Sequence, residues 1–102
     1  MNLDYIDIHS HLNLPPLSEN QEVILAKMQE LNVGTITVGT DMKTSQMAID
    51  IAEANPELCF ATVGFHPADG YVPNHDSDWA DLENLAQHPK VVAIGETGLD
   101  YF

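Results

Sequence analysis

Short apolar runs alternate with segments of helical periodicity along this chain of 102 residues. In the helical segments apolar side chains recur every three or four residues, whereas the runs between them are short and rich in β-branched residues. The pattern predicts strands over 3–9, 35–38, 58–64 and 91–94, and helices over 19–32, 43–54 and 78–87. Such alternation is typical of an α/β protein with parallel strands and right-handed crossovers.

Each predicted helix has an apolar stripe that we expect to face the sheet. The stripes consist of Ile24, Met28 and Leu31 on the first helix, Met47, Ala48, Ile51 and Ala52 on the second, and Trp79, Leu82, Leu85 and Ala86 on the third. Ser18 is a candidate N-cap of the first helix, with Gln21 three residues on as in a capping box. The single cysteine, Cys59, lies in an apolar run and is expected to pack as a small hydrophobic side chain.

Four strand–helix units make an open sheet with uncovered edges, and they also make half of a TIM-type (β/α)₈ barrel, which typically has about 250 residues. We therefore expect residues 1–102 to be a single partial domain, the N-terminal half of a larger barrel enzyme. A natural four-unit domain that closes its barrel by dimerisation is the alternative. In either case an uncovered half barrel is expected to be prone to self-association.

The charge of the chain is strongly acidic. Aspartate and glutamate number 16 against three lysines and no arginine, which gives a net charge of −13. This charge repels phosphate backbones and argues against a nucleic-acid partner, unless bound divalent cations reverse its sign locally. No apolar stretch approaches the roughly 20 residues that span a bilayer, and the N-terminus has no basic region. We therefore expect no membrane partner and a cytoplasmic location.

The side chains with the most informative chemistry follow the ends of the predicted strands. His9 is the last residue of the first predicted strand and His11 lies two residues further on, so that both project to the same side. His66 follows the third strand and Glu96 the fourth, at the sheet edge where parallel α/β folds gather their catalytic groups. Two imidazoles and a carboxylate suit Zn²⁺, Mn²⁺ or Fe²⁺, and suit Mg²⁺ less well. The pattern therefore predicts a metal site.

Each of these residues has a structural alternative. His66 lies in a long loop and Glu96 in a Gly-Glu-Thr-Gly loop, so either residue is also compatible with a purely local role. Asp41 follows the second strand, but a turn or the N-cap of the second helix explains it equally well, and it is not included in the site. His75 and His88 are expected to be solvated.

Three segments resemble those of a known family. They are Ile6-Asp7-Ile8-His9-Ser10-His11-Leu12-Asn13, Val63-Gly64-Phe65-His66-Pro67 and Ile94-Gly95-Glu96-Thr97-Gly98-Leu99-Asp100-Tyr101. In these motifs and in their order the chain resembles the TatD family of metal-dependent deoxyribonucleases, within the amidohydrolase-like superfamily. The first motif is common to the superfamily, and its combination with the third is more specific.

The resemblance implies a TIM-type barrel enzyme that hydrolyses phosphodiester bonds of DNA. It also implies that this hydrolysis can be exonucleolytic. It implies divalent metal ions (Mg²⁺, Mn²⁺ or Zn²⁺), two in the complete protein, with His9 and His11 as ligands of one. It also implies that Glu96 is catalytic and ligates or bridges the metals, and that His66 contacts the substrate phosphate.

In the family, further metal-binding histidines and a catalytic aspartate lie in a second half that this chain lacks, so the isolated chain is a candidate for an inactive fragment. Ala68 stands where the family often has a second histidine. Two alternatives remain: another amidohydrolase-like activity, on an amide, lactone or phosphotriester, and a non-catalytic metal-binding or assembly fragment.

Overall fold

A computed structural model of the protein describes residues 2–68 and 76–98. Four strands form one parallel sheet in the order β1-β2-β3-β4. The strands are β1 Tyr5–Ser10, β2 Val33–Val38, β3 Cys59–Val63 and β4 Val91–Ile94. The helices are α1 Gln21–Leu31, which follows a 3₁₀ turn over Leu17–Asn20, α2 Met42–Ala54 and α3 Asp76–Ala86. The predicted α/β fold with parallel strands is confirmed.

The three helices cover one face of the sheet. The strand order advances in one direction, and right-handed crossovers then place successive helices on the same side. Within the described residues no helix covers the opposite face, and β1 and β4 are edge strands. None of the helices in the described ranges is long and apolar enough to cross a bilayer.

The core lies between the sheet and α2. Ala48 and Ala52 of the helix are fully buried, as are Cys59, Ala61 and Val63 of β3. Burial raises the pKa of the Cys59 thiol to about 11, although the positive charge of Lys90 acts in the opposite direction. The thiol is therefore neutral and inaccessible, which confirms that Cys59 packs as a hydrophobic side chain.

Two residues predicted to face the core do not. Leu31 is 54% exposed and Trp79 is 53% exposed. Leu31 is the last residue of α1, and the chain turns away at Asn32, whose left-handed conformation (φ 58°) ends the helix. The Trp79 ring instead packs edge-on against Phe65, with a distance of 5.3 Å between ring centroids.

The start of α1 also differs from the prediction. The 3₁₀ turn includes Ser18, so the α-helix begins at Gln21 and has no side-chain cap. The Gln21 side chain donates a hydrogen bond to the carbonyl oxygen of Leu12 (2.9 Å), which removes it from the predicted capping box. The capping-box prediction for Ser18 is therefore wrong.

Asp41 is the N-cap of α2, which is one of the structural roles expected for it. Its carboxylate accepts a hydrogen bond from the Thr44 N–H (2.8 Å), while the Thr44 hydroxyl accepts one from the Asp41 N–H (3.0 Å). His88 is not solvated as predicted: it is half-buried, with Nε2 2.6 Å from Glu53 Oε1. His75 lies outside the described residues.

Candidate metal centre

His9 lies at an irregularity of β1, and His11 follows the end of that strand. Asp7 pairs with Thr35 whereas Ser10 pairs with Thr37, so β1 has one extra residue between them. Such a bulge changes the direction in which side chains project. The carboxylate of Asp7 accepts a hydrogen bond from the His9 N–H (3.0 Å) and fixes this segment. As a result the His9 and His11 rings meet edge to face, with their Nε2 atoms 3.2 Å apart.

Glu96 reaches the same point from the loop after β4, the strand at the opposite edge of the sheet from β1. Its backbone N–H donates to the carbonyl oxygen of Gly39 after β2 (2.9 Å), and the preceding N–H, of Gly95, donates to Val63 O of β3 (2.9 Å). Glu96 Oε2 is then 3.4 Å from His9 Nε2 and 3.7 Å from His11 Nε2. The bulge of β1 and the loop after β4 therefore bring together the three residues predicted as metal ligands.

The spacing of these three atoms fits a divalent cation. A circle through the two Nε2 atoms and Oε2 has a radius of about 2.0 Å, by plane geometry from the three distances. Zn²⁺ binds histidine nitrogen and carboxylate oxygen at about 2.0–2.2 Å. These three atoms are two imidazole nitrogens and a carboxylate oxygen, which are ligand types that divalent transition metals prefer. The His9 side chain is 51% exposed, so an ion has access from solvent.

His66 lies on the other side of Glu96. Its backbone N–H donates to Thr40 O (2.8 Å), which ties the loop after β3 to the loop after β2. The His66 Nε2 atom is 3.2 Å from Glu96 Oε1, while its Nδ1 accepts a hydrogen bond from the Ala68 N–H (3.0 Å). The structure therefore places all four predicted site residues in one cluster at the carboxyl edge of the sheet.

Two residues that hold this edge together, Asn13 and Gly64, had no role in the sequence prediction. Asn13 is buried and its amide donates to Val38 O (3.2 Å) and Thr44 O (2.8 Å). Gly64 allows the close approach of β4, because a Cβ there would lie 2.6 Å from the backbone of Gly95. Both residues lie inside the motifs quoted above. Their positions in those motifs were the available signal, but their contacts join segments distant in sequence.

Comparison with known proteins places the chain in a family. The sequence model of the family described as TatD related DNase matches residues 6–102. An uncharacterized metal-dependent hydrolase of Mycoplasma genitalium is 34% identical over 101 residues, which cover 97% of this chain and 38% of that protein. The 3′-5′ ssDNA/RNA exonuclease TatD of Edwardsiella piscicida is 46% identical over 81 residues, covering 79% of this chain and 30% of that one.

A solved structure agrees. The crystal structure of YjjV, a TatD homologue from Escherichia coli K12, matches with a TM-score of 0.79 at 31% identity. The match covers 96% of this chain and 38% of YjjV. The fold is thus that of the N-terminal half of a TIM-type metal-dependent hydrolase barrel, as predicted. The chain belongs to the TatD family, which confirms the resemblance seen in its motifs. It spans less than two fifths of the length of these relatives.

Proposed function

We propose that residues 1–102 are a single partial domain that supplies His9, His11 and Glu96 to a divalent-metal centre for the hydrolysis of DNA phosphodiester bonds. The observation that carries this proposal is the triangle formed by the two Nε2 atoms and Oε2, whose dimensions suit one cation. The E. piscicida relative, named a 3′-5′ ssDNA/RNA exonuclease, supports a nucleic-acid substrate and exonucleolytic cleavage. Glu96 is the catalytic residue of the proposal.

The donor set favours Zn²⁺ or Mn²⁺, with Mg²⁺ as a weaker fit to two imidazoles. A bound cation of this kind polarises a phosphoryl oxygen and lowers the pKa of water. His9, His11 and Glu96 would hold the first ion. A second ion in the complete protein would share Glu96 and use further ligands from outside this chain. His66, beside Oε1, is then in position to donate from Nε2 to a phosphate oxygen of the substrate.

The net charge of −13 opposes DNA binding at long range, and the proposal depends on the cation to reverse the sign at the site. The three ligand atoms also support a second candidate for the isolated chain, a non-catalytic metal-binding fragment, because they can hold an ion without completing a hydrolytic centre. An amidohydrolase-like reaction on another substrate would use the same ligands, and the relative named as an ssDNA/RNA exonuclease supports a nucleic acid as the substrate.

We expect the chain to bind Mn²⁺ or Zn²⁺ saturably and the double variant His9→Ala/His11→Ala to lose this binding. Two of the three proposed ligands are absent from that variant. Isothermal titration calorimetry of each metal into the purified proteins measures the effect. His88→Ala is the matched control, because His88 lies away from the site in contact with Glu53. Equal binding by the double variant and the wild-type chain would contradict the assignment.

The metal-loaded chain is then incubated with single-stranded DNA labelled at one end. Stepwise shortening of the labelled strand supports hydrolysis by this chain, whereas an intact strand together with saturable metal binding supports the non-catalytic fragment. The same incubation with Glu96→Gln identifies any contaminating nuclease, because shortening that persists in this variant does not come from the proposed centre.

We also infer that the isolated chain self-associates through its two edge strands. Tyr5 and Ile8 of β1 are 75% and 74% exposed, and Val92 and Ile94 of β4 are 51% and 55% exposed. Exposed apolar edges with unpaired backbone groups pair readily with another chain. Because β1 and β4 are at opposite edges of one parallel sheet, each can pair with the other strand of a second copy.

In light scattering coupled to gel filtration, the wild-type chain is therefore expected to show a mass above the monomer value of 11.2 kDa. The double variant Tyr5→Lys/Val92→Lys is expected to move toward the monomer mass, since charges on edge strands oppose pairing. Val23→Lys is the control, because Val23 is 72% exposed but lies on α1. A wild-type chain that is monomeric at all concentrations would contradict self-association.

A further inference from the structure

The two faces of the sheet differ in what covers them. Thr35 and Thr37 of β2 pair with Cys59 and Ala61 of β3, and paired residues of neighbouring strands project to the same side. Cys59 and Ala61 are fully buried in the core against α2, so this side is the helix-covered face. The other side, which no helix of the described residues covers, is the open face.

The bulge of β1 decides to which face His9 projects. Asp7 pairs with Thr35 and Ser10 with Thr37, so Ser10 lies on the helix-covered face and His9, the residue before it, projects to the open face. In an unbroken register His9 would itself pair with Thr37. Its imidazole would then face the helices, because a slip of one residue moves each later side chain to the other face. The bulge therefore directs His9 to the face where the proposed metal centre lies.

The hydroxyl of Thr35 makes hydrogen bonds to β1 on both sides of the bulge. Its Oγ1 lies 3.2 Å from the carbonyl oxygen of Asp7, before the bulge, and 2.6 Å from Ser10 Oγ, after it. Both bonds can form at once, because each hydroxyl can donate and accept. The Ser10 hydroxyl also lies 3.5 Å from the carbonyl oxygen of Ile36, the β2 residue opposite the bulge. Thr35 is 2% exposed, so solvent has little access to these bonds.

We infer that Thr35 is a positioning residue: its hydroxyl stabilises the bulge of β1 and so directs the His9 imidazole toward the cation of the proposed metal centre. This inference rests on the proposed function. The hydroxyl bonds to Asp7 O and Ser10 Oγ rather than to a proposed ligand atom, so it acts through the main chain of β1. Valine has nearly the shape of threonine but no hydroxyl, and it removes both bonds.

The test compares Mn²⁺ binding by variants of two threonines in calorimetry. We expect Thr35→Val to weaken binding about 10-fold, as is typical when a residue that orients a metal ligand is lost. Thr35→Ser keeps the hydroxyl and is expected to bind within about twofold of the wild type. Thr37→Val is the matched control. Thr37 lies on the same face of β2 and is fully buried, and its hydroxyl has no hydrogen-bond partner among the described residues.

Three results of this comparison would overturn the inference. They are unchanged binding by Thr35→Val, equal weakening in Thr35→Val and Thr35→Ser, and equal weakening in Thr35→Val and Thr37→Val. The urea midpoint of each metal-free variant shows whether it folds. If Thr35→Val does not fold, Ser10→Ala decides, since it removes one of the two bonds across the bulge. We expect it to weaken Mn²⁺ binding about threefold, and unchanged binding would then overturn the inference.

A measurement without metal separates this inference from the proposed function. The ring centroids of His9 and His11 are 5.0 Å apart, so a nuclear Overhauser effect between their ring protons reports the contact. We expect this signal in the metal-free wild type and in Thr37→Val, and its loss in Thr35→Val. If this holds but the wild-type chain binds no cation, the metal proposal fails and the role of Thr35 stands. A signal that persists in Thr35→Val, or is absent from the wild type, would overturn that role whatever the metal result.

Discussion

The substitution Gly64→Ala is expected to destabilise the chain by about 3 kcal/mol, at the upper end of the usual cost of overpacking. A Cβ at this position would lie 2.6 Å from both the carbonyl carbon and the carbonyl oxygen of Gly95, and 3.1 Å from Glu96 N. These are backbone atoms, so no rotation of a flexible side chain can relieve the clash. The loop after β4 has to move away from β3.

That movement breaks hydrogen bonds that hold Glu96 in place. The Gly95 N–H donates to Val63 O, the Gly95 carbonyl accepts from the Thr62 hydroxyl, and the Glu96 N–H donates to Gly39 O, each at 2.9 Å. Since all three bonds end at the displaced loop, a single methyl group is expected to weaken cation binding as well as stability. The effect on the proposed metal site arises although Gly64 itself has no side chain there.

Urea unfolding followed by far-ultraviolet circular dichroism, at one protein concentration, measures the loss of stability. Gly95→Ala is the matched control, because a Cβ on Gly95 meets nothing closer than the Thr62 hydroxyl at 3.8 Å. That variant is expected to change stability by less than about 1 kcal/mol. If Gly64→Ala unfolds at the same urea concentration as the wild type, the close approach of β3 and β4 is not as tight as the structure has it.

The sequence was sufficient to predict which elements form and which of their ends carry chemistry. Alternating apolar runs and helical stripes predicted the four strands and three α-helices of the described residues, because the spacing of apolar side chains differs between strands and helices. The gathering of His9, His11, His66 and Glu96 followed from a rule of parallel sheets, that strand ends at the carboxyl edge lie together. This rule gives no distances, so it predicted that the four side chains lie together but not how far apart their ligand atoms are.

What the sequence could not predict depends on contacts between distant segments or on where a helix begins and ends. The direction of the His9 ring depends on a bulge in β1, visible only in the register of β1 against β2. Leu31 fits the apolar stripe of α1 but lies where the helix ends, so its position in the stripe does not bury it. Ser18 and Gln21 have the spacing of a capping box, but Ser18 lies in a 3₁₀ turn and the α-helix begins only at Gln21. In the first case the pairing of two strands decides the geometry, and in the other two the bounds of the helix decide it.

Asn13→Ala is expected to destabilise the chain by about 2–4 kcal/mol, because it removes two buried hydrogen bonds and opens a small cavity. Asn13 is 1% exposed. Its amide donates to Val38 O at the end of β2 (3.2 Å) and to Thr44 O in the first turn of α2 (2.8 Å). These two bonds fix the segment that follows His11 to the rest of the sheet edge.

The same variant also tests whether the metal site depends on that anchor. Because Asn13 lies two residues after His11, its loss is expected to weaken Mn²⁺ binding while all three proposed ligands remain. Asn20→Ala is the control: the Asn20 amide is exposed and makes one long hydrogen bond, to Pro16 O at 3.4 Å, so its removal is expected to cost less than about 0.5 kcal/mol. A loss of stability with unchanged metal affinity would show that Asn13 supports the fold alone. A loss of both stability and metal affinity would show that the hydrogen bonds of the Asn13 amide to β2 and α2 determine the position of the His11 imidazole.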